Sequence, residues 1–285
     1  MIDTEGKYTM RYLQNLHTHS TFCDGKNTLE EMVEEALARG FHSIGFSKHS
    51  YMPFSTYFKQ TAEQAAENAR CYRAEAARLK ELYRDRIEIF CAEEVEMFSE
   101  VDPADYDYLI GSVHYLKIGD EFVGFDRDVP TVNHIVASYF GGDGMAFAKS
   151  YYEHLAQLPA HGKFDIIGHF DIHAKLNEAC HMFDDEDPAY LKMAMEALDA
   201  LTGKIAIAEI NTGAIARGYR SVPYPTLTIL KEMKKRGLGI LFTSDCHDKR
   251  FFDCYFAEAE QMAMAAGYRE YFVLKKEGFV PVPLG

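Results

Sequence analysis

The chain has no long hydrophobic run and no excess of positive charge. None of its 285 residues lies in a stretch approaching 18 consecutive apolar residues, so we expect no transmembrane helix and no membrane partner. Lys and Arg number 30 against 44 Asp and Glu, which gives a net charge of −14. Because an acidic chain repels a phosphate backbone, we expect no nucleic-acid partner, although bound cations can still create a site for a small anion.

Paired cysteines and a secretory leader pattern are also missing. The six cysteines are scattered, without a Cys-x-x-Cys pair, and the opening MIDTEGKYTMRY has no basic stretch followed by an apolar one. We therefore expect reduced thiols and a cytoplasmic protein instead of a disulfide framework. Low-complexity tracts are absent as well, and 47% of the residues are hydrophobic, so we expect an ordered core of good size.

Seven apolar segments of strand length alternate with segments of helical periodicity. Most of the strand candidates are continuous apolar runs, which is typical of parallel strands covered on both faces. The predicted strands span 12–17, 43–47, 87–95, 108–114, 164–169, 204–211 and 238–244. The predicted helices span 28–38, 61–83, 144–158, 188–201, 225–236 and 254–266.

This alternation predicts an α/β fold of the (β/α) barrel type. The chain is close to the roughly 250 residues of such a barrel, and no linker divides it, so we predict one domain over 1–285. The longest part without a predicted element spans 117–143, after the fourth strand. A segment of that length is usually a functional lid or a small element of its own. We predict a lid region there that is partly mobile without ligand.

Side chains suited to metal binding lie at or just past the carboxyl ends of the predicted strands. His17 and His19 follow the first strand as His-x-His, with Asp24 five residues on, and Asp245 and His247 follow the seventh as Asp-x-His. The strands between carry the others: His49, Glu94, His114, His169, Asp171, Glu209 and Asn211. In a parallel barrel these ends form one rim, where such folds place their active sites.

One histidine at a strand end is more often structural than a ligand, but six histidines in the same topological position are a different case. Together with the carboxylates they predict one site with nitrogen and oxygen ligands, which suits zinc, manganese or iron. The absence of cysteine pairs favours a catalytic site with open coordination positions over a closed structural zinc site.

The motifs also point to a known family. The segments NLHTHSTFCDG, SKHS, AEEVE, GSVH, DIIGHFD, AEINTG and TSDCH occur in this order. They resemble the polymerase and histidinol phosphatase (PHP) family, and YFGGDGMAFAKSYYEHLAQL is similar to its histidinol-phosphate phosphatase branch. The resemblance covers nearly the whole chain, from about His17 to His247. It implies a distorted (β/α)7 TIM-like barrel, three divalent ions (zinc, manganese or iron) and the hydrolysis of L-histidinol phosphate in histidine biosynthesis.

The resemblance further implies how the ligands divide among the three ions. The first ion would take His17, His19, Glu94 and Asp245. The second would share Glu94 as a bridge and add His114 and His169. The third would take Asp24, His49 and His247. A bridging carboxylate suits two cations about 3.5–4 Å apart, the spacing of two-metal sites for in-line displacement at phosphorus.

Two positions depart from the pattern of the family. Position 48 is Lys where many relatives carry an acidic residue, and position 92 is Ala where Gly is common. A lysine so near the site would point away or bind phosphate, and we assign Lys48 as a candidate substrate-binding residue. Arg217, which follows the sixth strand, is the second candidate because its charge can neutralise phosphoryl oxygens.

The leading hypothesis is hydrolysis by a hydroxide that bridges the first two metals and attacks phosphorus. The catalytic candidates are His17, His19, Glu94, Asp245 and His247. Asp171 and Glu209 are candidates to accept hydrogen bonds from the free ring nitrogens of ligand histidines. Two alternatives stay open: a PHP-type phosphoesterase acting on nucleotides or nucleic-acid ends, and a non-catalytic metal-binding or regulatory protein, which Lys48 would favour if it blocked the phosphate pocket.

Overall fold

The central sheet consists of seven parallel strands in a computed structural model that describes residues 12–55 and 57–285. The opening segment tested above for a secretory pattern lies outside the described residues, apart from Tyr12. In chain order the strands are β1 (Gln14–Asn15), β2 (Ser43–His49), β3 (Glu88–Glu96), β4 (Tyr108–Ser112), β5 (Tyr115–Ile118), β6 (Glu121–Gly124), β7 (Ile166–Ile167), β8 (Ile207–Asn211), β9 (Gly239–Thr243), β10 (Glu270–Lys275) and β11 (Gly278–Pro283). The large sheet has the order β1-β2-β3-β4-β7-β8-β9.

Helices connect these strands. They are α1 (Leu29–Ala38), α2 (Ala62–Leu82), α3 (Val129–Phe140), α4 (Gly144–Leu155), α5 (Leu158–His161), α6 (Asn177–Cys180), α7 (Pro188–Leu201), α8 (Gly213–Ala216), α9 (Leu227–Lys235) and α10 (Phe256–Ala265). Short 3-10 turns occur at Pro103–Asp105, Ile172–Ala174 and Lys249–Phe251. None of the helices in the described ranges combines the length and apolar character that crossing a bilayer would require.

The two edges of the large sheet meet, so the barrel is nearly closed. Thr18, just past β1, forms a parallel bridge with Cys246, just past β9. The backbone nitrogen of His19 donates to the carbonyl of Cys246 at 2.9 Å, and the nitrogen of Cys246 donates to the carbonyl of His17 at 3.2 Å. The bridge brings His-x-His and Asp-x-His side by side. The predicted barrel is confirmed, with all seven strands at the predicted places.

Capping side chains mark where five of these ten helices begin: α1, α2, α3, α4 and α7. The hydroxyl of Thr28 accepts a hydrogen bond from the backbone nitrogen of Glu31, and the carboxylate of Glu31 accepts one from the backbone nitrogen of Thr28. These two bonds form a complete capping box at α1. The predicted start of the helix at 225 is wrong, because α9 begins at Leu227. Two backbone hydrogen bonds, of 2.8 and 2.9 Å, pair Tyr224 with Asn211 at the end of β8. They hold the residue before Pro225 beside the sheet, so the helix begins later.

The region 117–143 is not an irregular loop. It contains most of the antiparallel β5–β6 hairpin and the whole of α3. Asp128 begins α3 by accepting a hydrogen bond from the backbone nitrogen of Thr131 at 2.8 Å. This excursion follows β4, so it stands beside the rim where the candidate ligands lie.

A C-terminal hairpin, β10–β11, was not predicted and closes the other end of the barrel. The side chain of Gln14 donates to the carbonyl of Leu274 at 2.9 Å and accepts from its nitrogen at 2.7 Å. Leu274 packs into the barrel interior with Leu16 and Phe90. The amino ends of the strands are therefore filled with apolar side chains, and the carboxyl ends are left for the polar cluster.

Candidate metal centre

Glu94 on β3 lies at the centre of the polar cluster. Its Oε2 atom is 3.3 Å from His17 Nε2, 3.4 Å from His19 Nε2 and 2.9 Å from His49 Nδ1. Glu94 and His49 are direct neighbours in the β2–β3 register, so their side chains extend from the same face of the sheet. The register of two strands thus determines one of the closest contacts of the cluster.

The second oxygen of Glu94 faces a different pair of histidines. Oε1 is 2.8 Å from His169 Nε2 and 3.3 Å from His114 Nε2. The hydroxyl of Ser112 donates to the same oxygen at 2.9 Å and helps to fix the carboxylate. Because the two oxygens face separate sets of imidazoles, the carboxylate has the arrangement of a group that two cations can share.

Asp245 follows β9 and faces the His-x-His pair. Its Oδ1 atom is 3.1 Å from His19 Nε2 and 3.6 Å from His17 Nε2. Its backbone has a φ of +46°, a left-handed conformation that aspartate tolerates better than most side chains. The turn at the end of β9 therefore directs this carboxylate into the cluster.

Asp24 forms the outer part of the cluster. Its Oδ1 atom is 3.2 Å from His247 Nε2 and 3.5 Å from His49 Nε2. The loop turns tightly at Gly25, where a Cβ would lie 2.4 Å from the nitrogen of Ser20. Glycine at this position lets the loop fold back over His-x-His and place Asp24 there.

All nine predicted ligands therefore lie in one cluster. Three groups have ligand atoms within 4.8 Å of one another: His17, Glu94 and His169; His17, His19 and Asp245; and His19, Asp24, His49 and His247. The remaining predicted ligand, His114, joins them through its contact with Glu94.

Several buried polar atoms in this cluster have no hydrogen-bond partner among the described residues. They are His17 Nε2, His19 Nε2, Asp24 Oδ1 and Glu94 Oε2. An unpaired buried polar atom costs about 1–3 kcal/mol. Oε2 of Glu94 is 3.3 and 3.4 Å from the two imidazole nitrogens, and Oδ1 of Asp24 is 3.2 Å from Nε2 of His247. Their donor chemistry and convergence fit cations held between them.

Burial and mutual charge set the protonation of the cluster. Burial alone would raise the pKa of Glu94, but His17 and other histidines lower it well below its usual range. The pKa of Asp245 is likewise lowered, because Arg217 and neighbouring histidines outweigh burial. Burial and the charges of two adjacent histidines lower the pKa of His19 to about 3. Ionised carboxylates and a neutral imidazole are the forms that bind metal.

Two further glutamates orient ligand histidines from behind. Oε2 of Glu209 is 2.8 Å from Nδ1 of His17, which agrees with the predicted role of Glu209. Oε2 of Glu96 is 3.1 Å from Nδ1 of His114 and accepts from its backbone nitrogen at 2.7 Å. Sequence reasoning missed Glu96, although period-two alternation along AEEVE places it on the same face as Glu94.

Asp171 does not take the orienting role predicted for it. Its Oδ2 atom is 3.3 Å from Nη1 of Arg220, and the two side chains form a buried ion pair. No hydrogen bond joins its carboxylate to a candidate ligand in the described ranges. The prediction for Asp171 is therefore wrong, because Arg220, unrecognised in the sequence, supplies its counter-charge.

Arg217 reaches the rim as predicted. Its Nη2 atom is 2.9 Å from Asp245 Oδ2, and its Nη1 atom donates to the carbonyl of Asp245 at 2.9 Å. Nη1 is also 3.1 Å from Nδ1 of His247. The pKa of Arg217 is raised overall, since Asp245 outweighs burial. A permanently charged guanidinium thus lies in fixed orientation beside the cluster.

Lys48 points away from the cluster, so its assignment to phosphate binding is corrected. Its Nζ atom is 2.9 Å from Glu93 Oε1 and donates to the carbonyl of His49 at 2.7 Å. Along β2 and β3, Lys48 and Glu93 are paired in register on one face, and His49 and Glu94 are paired on the other. Alternation of side chains along a strand separates the lysine from the site.

A cavity of about 380 Å³ opens over the cluster. The lining includes Arg217 and six of the nine predicted ligands: Asp24, His49, Glu94, His114, Asp245 and His247. The opposite walls carry residues that sequence reasoning did not single out: Met52, Tyr57, Phe58, Tyr115, Gly124, Asp126, Arg127, Thr131, Ile172, Lys175 and Tyr219. Most of them come from the excursion after β4 and the segment after β2, so no strand-end pattern could have shown them.

Comparison with known proteins gives a consistent result. The model of the PHP domain matches residues 15–213. A protein of Deinococcus radiodurans named "Probable histidinol-phosphatase" is 28% identical over 271 residues, which cover 91% of this chain and 96% of that protein. The histidinol-phosphatase of Bacillus subtilis is 27% identical over 253 residues, covering 81% of this chain and 92% of the relative.

A solved structure shares the fold over most of its length. It is the histidinol phosphate phosphatase of Lactococcus lactis, complexed with zinc, L-histidinol and phosphate. The TM-score is 0.68 at 19% sequence identity, with 94% of this chain and 98% of that chain covered. At this identity the likeness establishes the barrel architecture.

Proposed function

Because the chain belongs to the PHP domain family, we propose that it is a metal-dependent phosphomonoesterase that hydrolyses L-histidinol phosphate to L-histidinol and phosphate. The observation that carries this proposal is the convergence of six histidines and three carboxylates beside one cavity. The histidinol-phosphatase names of two relatives that match over most of their length support the substrate. The six free cysteines support a cytoplasmic protein.

We propose three divalent ions, zinc, manganese or iron, divided among the ligands as the family resemblance implies. His17, His19, Glu94 and Asp245 would hold the first; Glu94, His114 and His169 the second; and Asp24, His49 and His247 the third. The unpartnered buried atoms of this cluster support the assignment. When bound, such ions polarise phosphoryl oxygens and lower the pKa of water to about 7, which supplies a nucleophile at neutral pH.

The side chains of the chain itself prepare the cavity for a phosphate ester. Arg217 lines it and is fixed by its two contacts with Asp245, so its charge can stabilise the oxygens of the transferred group. Glu209 and Glu96 hold His17 and His114 with their Nε2 atoms toward Glu94. Aromatic side chains in the cavity wall offer a surface for an imidazole ring.

The position of Lys48 bears on the non-catalytic alternative. That reading needs an obstacle in the phosphate pocket, and Lys48, which suggested one, pairs with Glu93 on the opposite face of the sheet. The nucleotide alternative is weakened by the charge of −14, and it is decided by the substrate comparison below.

The test is phosphate release from L-histidinol phosphate beside a nucleoside monophosphate and an aryl phosphate, with protein loaded separately with zinc, manganese and iron. We expect kcat/KM for L-histidinol phosphate to exceed the others by at least about 10³-fold, or ~4 kcal/mol of transition-state discrimination. Equal, weak rates on all three compounds would refute the assignment of L-histidinol phosphate as the substrate. No phosphate release in any metal-loaded form would refute the proposal that the protein is a phosphomonoesterase.

A further inference from the structure

An ion pair in the cavity wall lies outside the nine candidate ligands. Nζ of Lys175 is 3.2 Å from Oδ2 of Asp126, and both residues line the cavity that contains the metal cluster. The side chain of Asp126 is 29% exposed and that of Lys175 is 12% exposed. The wall therefore presents one negative and one positive charge, already paired with each other, to any molecule that enters.

The aspartate is held firmly in place. Asp126 follows β6, and the preceding Phe125 is buried, with its ring centre 5.7 Å from that of Phe147 and 5.6 Å from that of Tyr151. The nitrogen of Phe125 donates to the carbonyl of His114 at 3.3 Å. This bond ties the segment to the end of β4, so the carboxylate has a fixed position relative to the cluster.

The lysine lies in the segment after β7, the strand next to β4 in the barrel. Lys175 follows the 3-10 turn Ile172–Ala174 after β7, and its backbone nitrogen donates to the carbonyl of Ile172 at 2.8 Å. Its Nζ atom is also 5.0 Å from the ring centre of Tyr219. When Asp126 binds another cation, the ammonium group of Lys175 still has the face of an aromatic ring beside it.

We propose that Asp126 is a specificity-determining residue that binds the ammonium group of the substrate, and that the Asp126–Lys175 pair opens to receive it. The proposal rests on the proposed function, because it concerns the organic part of L-histidinol phosphate. A substrate carrying both an ammonium and a phosphate exchanges one pair within the protein for two pairs with the ligand. Lys175 then serves the phosphate while Asp126 holds the amine.

The same pair discriminates against esters without an amine. Such an ester draws Lys175 toward its phosphate and leaves Asp126 as an uncompensated anion in the same cavity. Like charges in a partly buried space repel each other strongly. The selectivity therefore has an attractive and a repulsive component, and both depend on the charge of one carboxylate.

The experiment compares L-histidinol phosphate with imidazolylpropyl phosphate, which differs only in lacking the amino group. In Asp126→Asn, kcat/KM for L-histidinol phosphate should fall about 10- to 100-fold, mainly through KM. The value for the amine-free ester should stay constant or rise. Asp128→Asn is the matched control: it removes the same charge two residues away, outside the cavity lining, and asparagine also caps helices well. It should leave the ratio of the two substrates unchanged.

A second measurement separates recognition from a structural role of the pair. L-histidinol, as a competitive inhibitor without phosphate, should bind more weakly to Asp126→Asn and more tightly to Lys175→Met, in which no lysine competes for the carboxylate. A pair that only stabilises the fold would not change the two inhibition constants in opposite directions. Constants that stay the same, or that change in the same direction in both variants, would therefore overturn the proposal. Equal losses on both esters in Asp126→Asn would overturn it too.

Failure of the proposed function has a different signature. In that case the wild-type enzyme would hydrolyse L-histidinol phosphate no better than the nucleotide or the aryl phosphate. A wild-type enzyme that prefers both imidazole esters equally would leave the phosphatase assignment standing and refute the role of Asp126.

Discussion

Glu209 and His17 form a hydrogen bond of 2.8 Å between two side chains with no solvent exposure. The bond makes Nδ1 of His17 the donor, so Nε2, which faces Glu94 and Asp245, is the nitrogen left for a metal ion. The hydroxyl of Thr243 donates to the same carboxylate oxygen at 2.8 Å and holds it in place. The tautomer of a candidate ligand is thus fixed by a residue that does not itself face the cavity.

Glu209→Gln should weaken metal binding about 10- to 100-fold, because an amide is a poorer acceptor and can turn its NH2 group toward His17. Competition with a chromogenic chelator and the metal content after dialysis measure the effect. Glu196→Gln, on the exposed side of α7, is the control and should bind metal normally. Wild-type affinity in Glu209→Gln would contradict the orienting role.

Metal and protons should compete at this site. Burial would lower the pKa of His114, but Glu94 raises it to about 10. At pH 7 the metal-free histidine therefore carries a proton, which must leave before the ring binds metal. We expect affinity to increase with pH across the neutral range and binding to release protons. Titration calorimetry in two buffers of different ionisation enthalpy checks this, and identical heats in both would contradict it.

Asp245→Asn should abolish turnover and leave the fold intact. Asparagine tolerates the left-handed conformation at this position at least as well as aspartate does, whereas the loss of the negative charge removes a ligand from the His17 and His19 side of the cluster. Losing several kcal/mol of charge stabilisation lowers kcat by about 10³-fold or more. Steady-state kinetics and circular dichroism are the measurements. Near-wild-type kcat would refute the ligand assignment.

The part of the site that lies on regular strands could be predicted from the sequence. His17, Glu94 and Asp245 end or follow apolar runs of strand length, and a parallel barrel brings such ends to one rim. The side on which Lys48 lies could have been predicted too, since one residue of shift along a strand changes the face. The prediction relied on its closeness in sequence to His49 and overlooked alternation.

The walls of the cavity could not be predicted in the same way. Asp126 and Lys175 belong to irregular segments whose positions depend on the packing of Phe125 and on a 3-10 turn. Neither segment has a periodic pattern that links it to the rim. The C-terminal hairpin was missed for a related reason, because its role in closing the barrel depends on contacts with residues about 260 positions away.

The β5–β6 hairpin, at the start of the lid region predicted over 117–143, is expected to be mobile in the absence of ligand. Within residues 12–55 and 57–285 the β5–β6 hairpin forms a two-stranded sheet of its own. It contacts the segment after β2 through stacked Phe54 and Phe122 and a hydrogen bond of 2.7 Å between Ser55 and Tyr115. Amides of residues 117–124, which precede the anchored Phe125, should exchange faster than those of β3, and their exchange should slow when substrate analogue binds. Exchange as slow as in β3 would show that the region is a fixed wall.

Leu274 should be a major contributor to stability although it lies far from the cluster. Its side chain is 5% exposed and fills the amino end of the barrel beside Leu16, Phe90 and other interior residues. Leu274→Ala leaves a cavity where the strands converge, and we expect the free energy of unfolding to fall by about 2–5 kcal/mol. Lys276→Ala, at an exposed position of the same hairpin turn, should change it by less than about 0.5 kcal/mol. Urea denaturation of both variants measures the difference, and equal midpoints would show that the hairpin covers the barrel without supporting it.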